Sequence, residues 1–413
     1  MNAEGTRPQD LRVKNCRKLL QILSETDSQT INEIAAKMRL SRTAVQNILA
    51  KLTADGMVTE GEKRSSTRHG GKRAASYAIA PGYKYSIFIY LNTDNVLAEL
   101  NDFALRRLDY RIADLSRLSY PEIIKQLGEL IHMMLQTANV ELCQLYGIAI
   151  AVSGMVDSAD GTLVEFTGSD ADSKWGHNRR LSRDLCDYLG CDPDIYIDNM
   201  CNFSGYASYL AMTREETDSC VYVMAHSCGI GATYLRNGQI IKGSHGLLGE
   251  MGHTTINYDS GYPCRCGRQG CFEAMLYPES IRMRVNQAVK LGLAPGLKAD
   301  EIGSVDDLLR AAQSGNDYAL TQVRLIGQHF AKLFYNIQLM IDPDCIIFHD
   351  AFPIQLDVLH RTIEGVCMEE EQMSLKVPIR VLFDNSLFTD RVRRGAAYYL
   401  RDRFMNRITE GHS

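Results

Sequence analysis

No stretch of this chain approaches the roughly 18 consecutive apolar residues that a membrane-spanning helix requires. Its longest apolar runs, such as Ile148–Val152 and Tyr85–Leu91, fall short of that by more than half, and no N-terminal apolar segment resembles a secretory signal. A cytoplasmic protein without membrane insertion is expected. Repeats and low-complexity tracts are also missing, which argues against fibrous and disordered classes. Tryptophan occurs once, at Trp175, where packing is the expected role. Cysteine is plentiful at 12 residues, yet outside one cluster the cysteines are scattered singly, which fits free thiols in a reducing compartment. What is present is ordinary: 413 residues, 45% apolar and 23% charged, are enough for two or three globular domains.

The net charge of -5 hides an asymmetry. Residues 1–80 hold 14 Lys or Arg against 8 Asp or Glu, leaving 31 against 42 for the remainder. A basic head on an acidic body matches a nucleic-acid module joined to a domain with another task. Apolar spacing in the head predicts helices over Val13–Leu23 and from Ile31 to Met38, the second opened by a Thr30-x-x-Glu33 capping box. A third begins after the N-cap Ser41 and is expected to bury Val45, Ile48, Leu49 and Leu52. Only Arg39-Leu40 separates the last two helices, so Ser41, Arg42, Thr43, Gln46 and Asn47 are placed as a helix-turn-helix places its recognition residues. Gln and Asn pair with adenine, and Arg with guanine or phosphate. Strands from Met57 and at Ser76–Ile79, joined by a cationic loop with Arg68, Lys72 and Arg73, complete a winged helix.

The most informative stretch runs from Gly249 to Glu273. Cys264, Cys266 and Cys271 form a C-x-C-G-x-x-G-C pattern downstream of His253. Three thiolates and an imidazole make a four-ligand tetrahedral set that leaves no position for an activated water, so a closed structural zinc site is expected. Gly and Arg between these cysteines suit a tight turn around a metal better than a core.

Glu250-x-x-His253 followed by Cys264-x-Cys266-Gly267-x-x-Gly270-Cys271-x-Glu273 resembles the zinc signature of the ROK family, which groups sugar-responsive repressors with sugar kinases. The resemblance implies an α/β fold: an N-terminal winged helix-turn-helix, residues 1–80, and a two-lobed actin/hexokinase-like (ribonuclease H-like) domain, residues 81–413, with lobe junctions near 198 and 385. It also implies a sugar cleft between the lobes, with Asn199, Glu250, His253 and Glu273 on the ring hydroxyls and Gly154 in the loop that closes over them. His253 then serves both metal and ligand. The Gly70-Gly71-Lys72-Arg73 tip resembles the element that ROK repressors lay on DNA.

The kinase landmarks depart from the family pattern. The first phosphate turn corresponds to Tyr90-Leu91-Asn92-Thr93-Asp94, without glycine and with an acid that repels phosphate. The catalytic Asp corresponds to Met200, and a thioether accepts no proton. The second phosphate loop resembles Ser227-Cys228-Gly229-Ile230-Gly231, and the adenosine-side Gly-Gly corresponds to His349-Asp350. The reading is a non-enzymatic, zinc-bearing repressor that binds operator DNA as a homodimer or homotetramer and responds to a sugar or sugar phosphate. The alternatives are a hexose kinase that retains ATP-dependent activity and a repressor governed by a protein partner.

Overall fold

Thr30 accepts the backbone N–H of Glu33, and the Glu33 carboxylate returns a contact to the Thr30 N–H at 2.7 Å, so a reciprocal capping box starts the second helix of the head. In the computed structural model, which describes the chain apart from residues 1–7, 25, 65–73, 167–173, 214–216, 228, 245, 258–260, 373–375, 377 and 411–413, the head contains α1 (Pro8–Ser24), β1 (Gln29–Thr30), α2 (Ile31–Met38), α3 (Arg42–Ala54), β2 (Val58–Arg64) and β3 (Ala74–Ile79). Arg39 ends α2 in the left-handed region at φ 56°, and the Leu40 N–H reaches back to the Ala35 carbonyl at 3.1 Å. That closure turns the chain into α3 within two residues. Val45, Leu49 and Leu52 are buried as expected, whereas Ile48 is only partly covered. β1, too short to show an alternation, adds a third strand to the wing in the order β1-β3-β2.

The chain divides into two compact units, residues 1–198 with 396–413, and residues 199–395. The first unit continues from the head with β4 (Tyr85–Leu91), β5 (Asn95–Asp102), β6 (Arg107–Asp114), α4 (Tyr120–Ala138), β7 (Leu145–Val152), the hairpin β8 (Gly154–Asp157) and β9 (Thr162–Phe166), α5 (Leu181–Leu189) and β10 (Ile195–Asn199). Its main sheet has the order β10-β7-β4-β5-β6. One face is covered by α4 and α5 around Ile87, Ile89, Ile148, Ile150 and Leu127, all essentially inaccessible to solvent. Trp175 is fully buried in that core, stacked on Phe166 at 4.6 Å, with its indole N–H on the Thr93 carbonyl.

The second unit begins with α6 (Met200–Thr213) and continues with β11 (Ser219–His226), β12 (Gly229–Arg236), β13 (Gln239–Ile241), α7 (Pro278–Lys290), α8 (Val305–Gln313), α9 (Asp317–Ile341), β14 (Cys345–Asp350), α10 (Asp357–Glu371) and β15 (Val381–Asp384). Its sheet order, β13-β12-β11-β14-β15, repeats the first: a three-stranded antiparallel meander extended by two strands beyond its first member. α9 buries Val323, Ile326, Phe330, Phe334 and Ile337 beneath it and leaves Met340 largely exposed. The closing helix α11 (Phe388–Glu410) starts in the second unit and ends in the first. A Cβ on its Gly395 would lie 1.8 Å from the Phe203 carbonyl oxygen of α6, so only glycine allows that approach. In its later turns Asp402 lies 3.9 Å from Arg17 of α1, and Asn406 accepts from the same guanidinium. The head is thus tied to the last helix of the chain.

Candidate functional site

The β11–β12 hairpin sets up the site. Ala232 of β12 donates its N–H to the Gly249 carbonyl at 2.8 Å, and Gly249, at φ 107°, has no room for a side chain, since a Cβ would lie 2.2 Å from the Ala232 oxygen. That fixes where Glu250 enters. A single 3-10 turn, Met251–His253, follows, and His253 donates its N–H to the Glu250 carbonyl at 3.1 Å. Thr255 then bridges to Cys271, and Phe272 donates to the Thr254 carbonyl at 2.9 Å, which brings the far end of the cysteine loop back beside His253. Between these ends Cys264 and Gly267 close a knuckle through Cys264 N–H to Arg268 O at 2.8 Å and Gly267 N–H to Cys264 O at 3.0 Å, with Gly267 at φ 82°.

The result is a cluster of His253, Cys264, Cys266 and Cys271 whose ligand atoms all lie within 4.8 Å of one another. The Cys264 Sγ to His253 Nδ1 distance is 3.5 Å and the Cys266 to Cys271 Sγ distance is 3.7 Å. A tetrahedral zinc with Zn–S bonds of about 2.3 Å has ligand-to-ligand edges of about 3.8 Å. The donor set therefore fits that ion in both chemistry and spacing. Burial pushes the Cys264 thiol up, and burial together with the neighbouring thiols pushes Cys271 up to about 12. Cys266 is held below its ordinary value: burial opposes this, but the Arg268 backbone N–H and the two other thiols outweigh it. His253, Cys264, Cys266 and Cys271 would hold a divalent cation here, and its charge would favour the thiolate form of all three cysteines.

Two carboxylates flank the cluster. Glu273 Oε1 lies 3.5 Å from His253 Nδ1, and Glu250 Oε2 lies 3.9 Å from His253 Nε2. Burial raises the Glu250 pKa, the His253 charge acts against that, and Glu273 adds to it. Two contributors escaped the sequence reading. Tyr277 is buried, donates to Glu273 Oε1 and reaches to 3.5 Å from Cys264 Sγ, so it orients the carboxylate. Its position four residues after Glu273, just before a Pro-initiated helix, was the available signal. Gly252 is the other: a Cβ there would sit 2.5 Å from Glu273 Oε2 and 2.7 Å from the Ile230 oxygen. Gly252→Ala is expected to cost about 1–3 kcal/mol by overpacking, read as a lower denaturant midpoint with unchanged slope.

Asn199 closes β10, and its side-chain oxygen accepts the Cys201 N–H at 2.8 Å, at the start of α6 where Met200 stands. Gly154 lies in the other unit, where its lack of a side chain is explained locally by the β8–β9 hairpin, 2.2 Å from the Glu165 oxygen. At the kinase landmarks, side chains occupy space. His349 and Asp350 are both fully buried; His349 lies 2.7 Å from the Tyr222 hydroxyl and 2.9 Å from the Ser386 carbonyl, and Asp350 lies 3.0 Å from His360. The carbonyl acceptor fixes the proton on His349 Nε2, so Tyr222 donates to Nδ1. In the β4–β5 turn, Asn92 is bonded to Asn95, and Asp94 is paired with Lys174 at 3.3 Å.

In the head, Ser41 caps α3 through the Ala44 N–H at 3.2 Å, and Ser41, Arg42, Thr43, Gln46 and Asn47 are all exposed. These form one polar face at the helix N-terminus, opposite Val45, Leu49 and Leu52. Arg68, Lys72 and Arg73 lie outside the described residues.

Known proteins match both parts of the chain. A winged helix-turn-helix DNA-binding model matches residues 15–59, and the ROK family model matches residues 101–402. The DNA-binding transcriptional dual regulator NagC of Escherichia coli (strain K12) is 23% identical over 300 residues, 73% of this chain and 71% of that protein. The xylose repressor of Bacillus subtilis (strain 168) is 25% identical over 402 residues, 96% of this chain and 97% of that protein. A crystal structure of a ROK family transcriptional regulator, a homolog of the E. coli MLC protein, superposes with a TM-score of 0.72 at 18% identity, covering 96% of this chain and 97% of that one. With its sugar-kinase-like part matched from β5 to α11 and a winged helix ahead of it, the chain belongs to the ROK family.

Proposed function

We propose that the chain is a sugar-responsive transcriptional repressor that holds a structural zinc, grips operator DNA with its winged helix and works in the cytoplasm without enzymatic activity. The observation that carries this reading is the double placement of His253, whose Nδ1 faces Cys264 and whose Nε2 faces Glu250. With a metal on Nδ1, the Nε2–H would point toward Glu250, while Glu273, 3.5 Å from Nδ1, lies on the cluster side; the two carboxylates flank the imidazole as acceptors for vicinal sugar hydroxyls. Asn199 is the proposed amide partner. The metal is bound by four protein ligands, so its chemistry is to shape the loop, not to activate water. NagC and the xylose repressor are the relatives whose names support a regulator of this kind.

Phosphoryl transfer is not part of the proposal. By the sequence resemblance the base of ROK kinases corresponds to Met200, and their nucleotide-side glycines correspond to His349 and Asp350, which are both fully buried. A bound sugar instead shifts the population between DNA-binding and non-binding states, to the extent that it prefers one of them. The test is calorimetric titration of the full chain with a panel of pentoses, hexoses, amino sugars and their phosphates. One chemical class is expected to bind, and Glu250→Gln is expected to weaken it at least ~10-fold, about 1.4 kcal/mol. In the same mixtures with ATP, no sugar phosphate should accumulate. A panel without a binder, or turnover of ATP with one of the sugars, contradicts the proposal.

A further inference from the structure

The first unit carries a cavity of about 730 Å³, inside the range of roughly 300–1,000 Å³ that holds small-molecule ligands. Every residue that lines it belongs to this unit, so it is separate from the cluster around His253. It opens where the starts of β7 and β10 lie beside the later turns of α11. Its walls are largely apolar. Leu142, Leu145, Pro193 and Ile408 surround the rings of Tyr146 and Phe404, which are tilted at 41° with centroids 5.4 Å apart. Aromatic walls of this kind favour a further planar ring, packed offset or edge-on.

The charges around this wall narrow the choice of ligand. Arg407 meets Asp194 at 2.9 Å and the Tyr146 carbonyl at 3.1 Å, and Asp194 also meets Arg403 at 3.5 Å. Asp192 accepts from the Cys186 thiol. Lys84 is different: its ammonium donates to the Cys143 carbonyl at 3.3 Å and has no carboxylate partner among the described residues. One uncommitted cation beside an apolar, partly aromatic wall suits a single carboxylate carried on a planar ring. The same turns of α11 hold the head. Asp402 and Asn406 engage Arg17 of α1, and Arg401 donates to Ser24 at 3.5 Å. Phe404 packs against Tyr83 at 6.2 Å, and the Tyr83 ring lies 3.7 Å from where a Cβ on Gly56 would be, in the turn between α3 and β2. We propose that this cavity is a second effector site, which binds an aromatic monocarboxylate between Lys84 and the rings of Phe404 and Tyr146 and acts on the head through α11. A ligand here shifts DNA affinity to the extent that it prefers one placement of the head. The site is independent of what the second unit binds.

Calorimetric titration of the full-length protein with phenylacetate, cinnamate and indole-3-acetate, each beside its primary amide, tests the site. At least one acid is expected to bind with a Kd below ~1 mM and its amide at least ~10-fold more weakly, since only the acid uses the Lys84 charge. Lys84→Gln should bring the acid down to the level of its amide. Ile408→Trp, which fills the cavity from a partly exposed position, should weaken acid and amide alike by at least ~10-fold. Both positions are partly exposed, so both variants are expected to unfold like the parent. With the acid saturating, affinity for a selected operator should change at least ~3-fold in the parent and not in Ile408→Trp. A panel without a binder, an amide that binds as well as its acid, binding that survives Ile408→Trp, or operator affinity indifferent to the bound acid overturns the proposal.

Discussion

Gln46→Ala combined with Asn47→Ala is expected to weaken operator binding at least ~100-fold and to leave unfolding and metal content unchanged. Both side chains are exposed on α3, so their removal empties no core space, and surface changes of this kind shift stability by only about 0.5 kcal/mol. Each bidentate contact to a base contributes about 1–3 kcal/mol of discrimination, and the two together, at about 4 kcal/mol in mid-range, cover the roughly 2.7 kcal/mol that a hundredfold loss requires. Arg42→Ala should behave differently. If it meets phosphate beside the helix N-terminus, its loss is expected to weaken specific and random DNA alike and to reduce the salt slope by about one. Fluorescence anisotropy on a selected operator and a scrambled duplex, at several salt concentrations, separates the two effects. Equal losses from all three substitutions on both duplexes would remove α3 from the role of sequence reader.

Cys266→Ser is the second change with a large expected effect. The full-length protein is expected to contain one zinc per chain, and the variant less than about a tenth of that, because a structural site that loses a thiolate forfeits much of a binding free energy of order 10 kcal/mol. Cys266 is the exposed member of the cluster, so replacing sulfur with oxygen there disturbs little packing, unlike the same change at the buried Cys264 or Cys271. The knuckle from Cys264 to Cys271 is held by few backbone hydrogen bonds of its own, and without the ion residues 249–273 should exchange amide hydrogens far faster. Because His253 belongs to the cluster and is flanked by Glu250 on one ring nitrogen and Glu273 on the other, sugar binding is expected to be lost as well. Cys143→Ser, at an exposed thiol of the other unit, is the control and should change nothing. Zinc loss with intact sugar binding would separate the metal from the effector site.

The parts of this molecule that were legible in the sequence are those whose pattern is local and strong. The helix-turn-helix shows in a capping box, a two-residue turn and an apolar period of 3.6; the metal cluster shows in ligand type and spacing; β4 and β7 show as buried apolar runs. β6 was not read as a strand, although Leu108, Tyr110 and Ile112 alternate with polar residues at period two, and α1 begins five residues before the start that periodicity gave. Nor does spacing reveal that Tyr277 holds Glu273, that Gly252 yields its side-chain volume to that carboxylate, or that Gly154 answers to its own hairpin. These depend on contacts between segments that meet only after folding. The departures at Met200 and His349-Asp350 were visible as substitutions; that His349 and Asp350 fill their site with a bonded, buried network became visible only in three dimensions.

The affinity of the full-length protein for an operator selected from genomic fragments, measured with and without a saturating sugar of the class found by titration, tests the central claim most directly. A scaffold shared with sugar kinases that works as a switch should bind its operator specifically, with a steep salt dependence, and lose at least ~10-fold in affinity when the sugar is present, a coupling of about 1.4 kcal/mol. Operator affinity that is identical with the sugar bound and absent would contradict it.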